Sequence, residues 1–436
     1  MRCATVGNVL KRDEPGRGGA TYGAALASRE FRAVFVAAGL SICGNVVADV
    51  VQTVLIYDRT RSPLLASLAF ALGFLPYLVT GTLLSGLVDR VPPRRLLVTG
   101  YLSAAIMTAV MAVPGMSVPA LLGLVFCAGF ANGLGSATRG ALVRAVVPRA
   151  AYVPAQSLMR ISSQVAQVAA NPVGGFLIVV AGGRGTFCVA AGILAAAAAI
   201  ARFGVREHTG ASAATASAAT AGAATAGAGA PVPKPAGGVL GDSLRGMSQV
   251  FARPALRRLL LLGWVIPLFS VAPESLAAAY VSRHGGSPAL VGWWLTGLPV
   301  GIVTGDLLGV WFIPPAWQRR LVGAAGIVSF LPYLAFAASP PVYMCIPLLV
   351  ASGMCSMYSL GLDARVRSAS PDRLFARTMA VSSAGLLTIQ ALGFPLAGLV
   401  AGWTGPGVAV AIAGACGIAG VVWLWPRAPS GRDAGR

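Results

Sequence analysis

Long apolar runs separated by short polar turns dominate the chain. Twelve runs stand out, at about 33–56, 64–87, 95–114, 117–138, 157–181, 186–203, 257–281, 288–313, 319–338, 341–362, 374–401 and 405–425. Each is close to the twenty or so mostly apolar residues that a helix needs to cross a bilayer core, so each predicts a membrane-spanning helix. Inside the first run the pattern breaks at Ser41, Asn45, Asp49 and Gln52. Spacings of four, four and three put these side chains on one helical face. Gln164, Gln167 and Asn171 repeat the device in the fifth run. Amides and carboxyls are costly in lipid, so both stripes are expected to face the interior of a bundle and to line a substrate cavity there.

Between Arg206 and Gly241 the sequence turns into "EHTGASAATASAATAGAATAGAGAPVPKPAGG", a low-complexity stretch with no apolar stripe. It predicts a flexible linker with six runs on either side. The expected fold is an all-α membrane protein of 12 transmembrane helices in two six-helix halves. Its parts are an N-terminal tail (1–32), a first half (33–203), a linker region (204–256), a second half (257–426) and a C-terminal tail (427–436). The ends of runs two and eight, "GTLLSGLVDRVPPRRLL" and "GIVTGDLLGVWFIPPAWQRRLV", share glycines followed by Pro-Pro and Arg-Arg, a faint internal repeat. Two such halves are the plan of parallel-repeat carriers, whose site lies at the midplane between them.

Composition agrees. The 436 residues are 56% hydrophobic and 11% charged, with a mean hydropathy of +0.76. A formal charge of +20 would suggest nucleic acid in a soluble chain. Its placement excludes that: with the N-terminus inside, only Arg59, Arg61, Arg184 and Arg283 of the 33 Lys and Arg fall outside. That bias is the positive-inside rule, and it predicts both termini in the cytoplasm. The first 30 residues hold no apolar core, so no cleavable signal peptide is expected. Seven cysteines lie singly and the two histidines, His208 and His284, lie in loops, so neither metal nor other cofactor is expected. No G-x-x-x-x-G-K-[ST] loop occurs, which argues against ATP use. An enzyme is not expected.

Two motifs carry a resemblance. "SGLVDRVPPRRLLV" resembles the G-x-L-a-D-R-x-G-R-R loop between spans two and three of the major facilitator superfamily, with Asp89, Arg90, Arg94 and Arg95 at its charged positions. "QVAQVAANPVGG" is similar to the antiporter motif G-x-x-x-G-P-x-x-G-G at Pro172, Gly174 and Gly175. It departs at Asn171, where the motif has Gly, and it lacks one spacer. The stretches "DRTRSPLLASLAFALGFLPYL", "RGALVRAVVPRAAYVPAQSL" and "VAPESLAAAYVSRHGGSPALVGWWLTGLPVG" resemble the drug-exporter branch that includes macrolide-efflux and enterobactin-export proteins, in an actinobacterial form. The resemblance implies a charge latch at Asp89, Arg90, Arg94 and Arg95 on the cytoplasmic face, and a central cavity lined by spans one and seven.

Three acids fall within runs: Asp49, Glu274 and Asp306. A carboxyl in hydrocarbon favours its neutral form, so each is a candidate for proton or cation coupling, with a structural hydrogen bond to a neighbouring helix as the competing role. Asp49 and Glu274 occupy equivalent spans. Pro267 and Pro273 are expected to break the seventh helix near Glu274. Trp264, Phe269, Trp293, Trp294, Tyr333 and Tyr358 are available to hold a substrate body. The expected protein is thus a secondary transporter, a monomer in the lipid bilayer of a bacterial inner membrane, exporting a small organic compound in exchange for protons. The alternatives are nutrient uptake, proton-coupled or facilitative, and a non-transporting scaffold or sensor.

Overall fold

A computed structural model of the chain describes residues 26–83, 91–147, 152–206 and 251–425. Among the described residues there is no β-strand. Four helices come first: α1 (Arg29–Thr60), α2 (Pro63–Leu83), α3 (Pro93–Met111) and α4 (Val118–Val146). The 53-residue α5 (Tyr152–Gly204) is broken at Gly182, whose φ of 67° and ψ of 173° lie outside any helix. Only glycine adopts such a backbone readily, so the turn between the fifth and sixth runs sits there.

The seventh run is in three pieces, α6 (Pro254–Ser270), α7 (Ala272–Ser275) and α8 (Ala277–Arg283). Pro273, which has no N–H for the Phe269 carbonyl, accounts for the first break, at Val271; Pro267, expected to break the run as well, lies inside the unbroken α6, and no proline stands at the second break, Leu276. Then follow α9 (Pro288–Phe312), α10 (Pro315–Val328), α11 (Leu331–Leu334), α12 (Val342–Met354), α13 (Tyr358–Ala369), α14 (Asp372–Thr404) and α15 (Pro406–Leu424). Proline opens many of them at their first turn, where its missing N–H costs nothing. Serine 28 caps α1, its Oγ accepting from the Phe31 N–H at 3.3 Å.

The described part of each of the twelve apolar runs falls on helix for most of its length. Nine helical stretches among the described residues are long and apolar enough to cross a membrane. The difference from twelve has three sources. The fifth and sixth runs merge in one stretch across Gly182, the described apolar part of α2 ends at Pro76, and the 19 residues of α3 open on Arg94 and Arg95.

Helices before and after the linker meet along two seams. In one, α2 lies on α14: the Phe70 and Phe394 rings stack with centroids 5.2 Å apart, and Gly398 faces Ser67 and Leu64. In the other, α5 lies on α9: a Cβ on Gly175 would come within 2.8 Å of the Pro288 carbonyl, and one on Gly292 would strike the Asn171 carbonyl. Small residues let these backbones approach, which is how helices pack without a hydrophobic drive between them. At the same end of the bundle Arg61 donates to Ser282 Oγ at 3.1 Å.

Candidate functional site

Between the seams lies a cavity of two lobes, of about 350 and 330 Å³, which share Val46, Asp49, Phe70, Phe74 and Gln167 as walls. The α1 stripe forms one wall of the first lobe: Ser41, Asn45, Asp49 and Gln52 all line it. Val47 and Val51 on its flanks are buried against neighbouring helices, while Ile42, Val46 and Ala48 line the lobe beside the polar stripe. The stripe is tied along the helix. Gln52 Nε2 donates to Asp49 Oδ1 at 2.9 Å, Thr53 Oγ1 donates to the Asp49 carbonyl at 2.7 Å, and Asn45 Nδ2 donates to Ser41 Oγ at 3.5 Å. The Asp49 carboxyl sits deep in the bundle yet is open to the cavity.

The second lobe brings in α5 and the broken helix. Gln164, Gln167, Asn171 and Glu274 line it together with Asp49, Trp294 and Gln390. Asp49 and Glu274 thus face the same lobe. No described residue forms a hydrogen bond to the Glu274 carboxyl. Around it, side chains satisfy the carbonyls that the breaks leave without an in-helix partner: Trp294 Nε1 donates to the Pro273 carbonyl at 2.8 Å, and the Tyr333 hydroxyl to the Ser270 carbonyl at 3.1 Å.

Asn171 does the same across the seam. Pro299 in α9 has no N–H for the Leu295 carbonyl, and Asn171 Nδ2 donates to that carbonyl at 3.1 Å. Its amide, 8% exposed, is therefore engaged in holding α5 to α9.

Several candidates fall elsewhere. Asp306 lines neither lobe. It sits beside Gly305, where a Cβ would strike the Met354 carbonyl, and its Oδ1 is enclosed without a hydrogen-bond partner among the described residues. Helix crowding, with the small Gly305 drawing α9 against α12, keeps it out of the cavity. Trp293 is half-exposed, Trp264 Nε1 donates to the Ser382 carbonyl at 3.1 Å, and of the six aromatics expected to hold a substrate body only Trp294 lines a lobe. Asp89 and Arg90 lie outside the described residues. Arg94 donates to the Arg202 carbonyl at the end of α5, and Arg95 is exposed.

The sequence reading missed Arg139, Tyr101, Asn132, Phe70 and Phe74, all on the wall of the first lobe. Asn132 lies inside the fourth run, but Arg139 lies just past its end, where a charge is expected whether it faces the cavity or the headgroups. The aromatic residues carry no signal, because a phenylalanine facing a cavity and one facing lipid look alike in sequence.

A bundle of apolar helices that encloses a polar cavity between two seams is the architecture of a membrane carrier of small solutes. Residues 34–273, more than half of the chain, match the Major Facilitator Superfamily, and the chain belongs to that superfamily. No curated protein is significantly similar to it in sequence. Solved structures share its fold. A mutant of the nucleoside transporter NupG superposes with a TM-score of 0.68 at 11% identity, covering 91% of this chain and 98% of that one. The POT family transporter PepTSo gives 0.66 at 10%, covering 91% and 97%. A bacterial homologue of the human lysosomal transporter Spinster, inward-facing and unoccupied, gives 0.63 at 18%, covering 91% and 95%. At these identities the likeness speaks for the fold alone, an all-α, multi-pass membrane fold of the major facilitator type; that the chain is a transporter follows from its membership of the superfamily.

Proposed function

We propose that the protein exports a small organic compound, a drug or secondary metabolite, in exchange for protons by alternating access. The observation that carries this reading is that Asp49 and Glu274, from the first and seventh runs, open into one enclosed cavity walled by amides and aromatic rings. A carboxyl that alternates between proton and cationic substrate couples the two fluxes, because occupancy by one excludes the other. Gln164 and Gln167 supply polar contacts, and Phe70, Phe74 and Trp294 an apolar surface for the substrate body. Asp306 enters this scheme only as a secondary coupling candidate. Asp89, Arg90, Arg94 and Arg95 would form the latch that opens and closes the cytoplasmic end. The placement is the bacterial inner membrane with both termini cytoplasmic, and the working unit a monomer of two six-helix halves (33–203 and 257–426).

Acidified everted vesicles test the proposal. A substrate from a panel of amphipathic drugs should collapse the proton gradient with the natural protein and fail to do so with Asp49→Asn or Glu274→Gln that is inserted at equal levels. Equal activity of all three proteins would make the acids structural. Net inward accumulation in oriented vesicles would instead favour proton-coupled uptake. The engaged Asn171, where the antiporter motif has Gly, is the feature on that side.

A further inference from the structure

The first lobe is bipolar, and nothing in the proton-exchange reading uses its second pole. At one end stand Asp49 and, behind it, Glu274. At the other stands Arg139 of α4, half-buried on the cavity wall and in no ion pair with an acid among the described residues. Beside it the Tyr101 side chain is 2% exposed. Its hydroxyl has Arg139 and Ser41 as polar neighbours but no hydrogen-bond partner in good geometry. A buried hydroxyl left unmade is costly, as is a guanidinium drawn out of water, and both costs fall when an anion arrives. Ser41, the neighbour of the Tyr101 hydroxyl, and Asp49 are eight residues apart on α1, a rise of about 12 Å at 1.5 Å per residue. The wall between them is mixed: Phe70 and Phe74 give it an apolar side, and Asn45 and Asn132 add amides.

We infer that the cavity takes an amphoteric compound with an ammonium at one end and a carboxylate at the other, joined by an apolar body. Asp49 and Glu274 hold the ammonium. The Arg139 guanidinium holds the carboxylate, and the Tyr101 hydroxyl donates to it. A plain cationic amphiphile satisfies only the first pole and leaves the second unpaired, and a site with buried polar groups rejects a ligand that leaves them so. The inference deepens the export reading, since it rests on the cavity being the substrate site, but it is independent of transport direction and of the coupling ion.

Three probes separate the poles: 8-aminooctanoate, octylamine and octanoate. The extended chain of the first sets its charges apart by about the reach from Asp49 to Ser41. Calorimetric binding to the full-length protein in nanodiscs should favour 8-aminooctanoate over either single-charge probe by about 10- to 100-fold, the effect of one charge-assisted hydrogen-bonded contact. Arg139→Gln should remove its advantage over octylamine, and Asp49→Asn its advantage over octanoate. Arg139→Lys, which keeps the charge without the fork, should retain part of the first advantage and guards against a folding defect.

The inference is overturned if 8-aminooctanoate fails to saturate, or if Arg139→Gln weakens the amino acid and octylamine alike. Octylamine binding that depends on Asp49 and gains nothing from an added carboxylate would overturn the amphoteric ligand and leave export standing. Loss of proton exchange in vesicles, with probe selectivity intact, would do the reverse.

Discussion

The hydrogen bond from Asn171 to the Leu295 carbonyl makes a prediction that can be worked through. Asn171→Ala removes the donor and leaves an almost fully enclosed carbonyl that Pro299 cannot satisfy. In water-soluble proteins such an orphan costs about 1–3 kcal/mol, while side-chain hydrogen bonds between membrane helices average about 0.6 and reach about 1.7. The bond ties α5 to α9, one of the two seams between the helices that precede the linker and those that follow it. Its loss should therefore shift the population away from the arrangement in which this end is closed, by about threefold at 0.6 kcal/mol and about tenfold at 1.4. Spin labels on the α1–α2 and α8–α9 connections, read by pulsed electron-electron resonance, would report the two populations. Pro299→Ala supplies the control, because an alanine N–H at 299 can bond the 295 carbonyl within the helix. In that background Asn171→Ala should cost less, a coupling that a double-mutant cycle isolates. Equal shifts in both backgrounds would refute the argument that Asn171 is there to satisfy a carbonyl that a proline has freed.

Three further outcomes are expected. A Cβ on Gly301 would strike the Val350 carbonyl and press on Gly353, so Gly301→Val should lower the melting temperature in detergent by overpacking of about 1–3 kcal/mol, whereas Gly192→Ala, with nothing within 4 Å of its Cβ, should leave it unchanged. Trp294→Phe keeps a ring near Tyr280 and Phe336, whose centroids lie 4.9 and 5.6 Å from that of the indole, but loses the donor to the Pro273 carbonyl. It should cost about 1 kcal/mol by thermal melting and slow proton exchange in vesicles by loosening the segment that carries Glu274. Deleting residues 211–236 should leave transport intact if the shortened linker still joins its two ends, and loss of transport with normal insertion would give that segment a role of its own.

Energetic cost decided what could be read from sequence. Ser41, Asn45, Asp49 and Gln52 were legible because such side chains are expensive against lipid, so their common face had to be an interior one. One break of the seventh run was legible because Pro273 removes a backbone donor there, whereas Pro267 is accommodated inside α6, which no local pattern foretells. Arg139 was not. An arginine near the end of a span serves the topology rule equally well from the lipid headgroups or from a cavity wall, and only the rotation of α4 decides between them. Phe70 and Phe74 gave no signal, for lipid and cavity both accept an aromatic ring. Asp306 shows the limit of the same cost rule: the rule places an acid away from lipid, and the interior of a bundle includes crowded helix contacts as well as cavities. At Asn171 the sequence showed only a departure from a motif. Its reason lies in a proline 128 positions further on, which no local pattern connects to it.

The two acids proposed for coupling, Asp49 and Glu274, stand on helices of opposite mechanical character. Asp49 lies within 32 residues of uninterrupted α1, with Gln52 holding its carboxyl and flanking residues packed on α5, so its position is fixed by the bundle. Glu274 lies in α7, four residues between two breaks, and the carbonyls just before that acid, at Ser270 and Pro273, each take one side-chain bond, from Tyr333 and Trp294. Each such bond is worth only about 0.6–1.7 kcal/mol between membrane helices, comparable with the differential binding that a substrate or proton must supply to shift a two-state equilibrium severalfold. A charge change at Asp49 has little local slack to absorb it, whereas one at Glu274 can be met by re-pairing those carbonyls. The structural consequence of protonation should therefore begin in the seventh run, and it reaches the α5–α9 seam through Trp294, whose backbone neighbour Leu295 accepts the bond from Asn171.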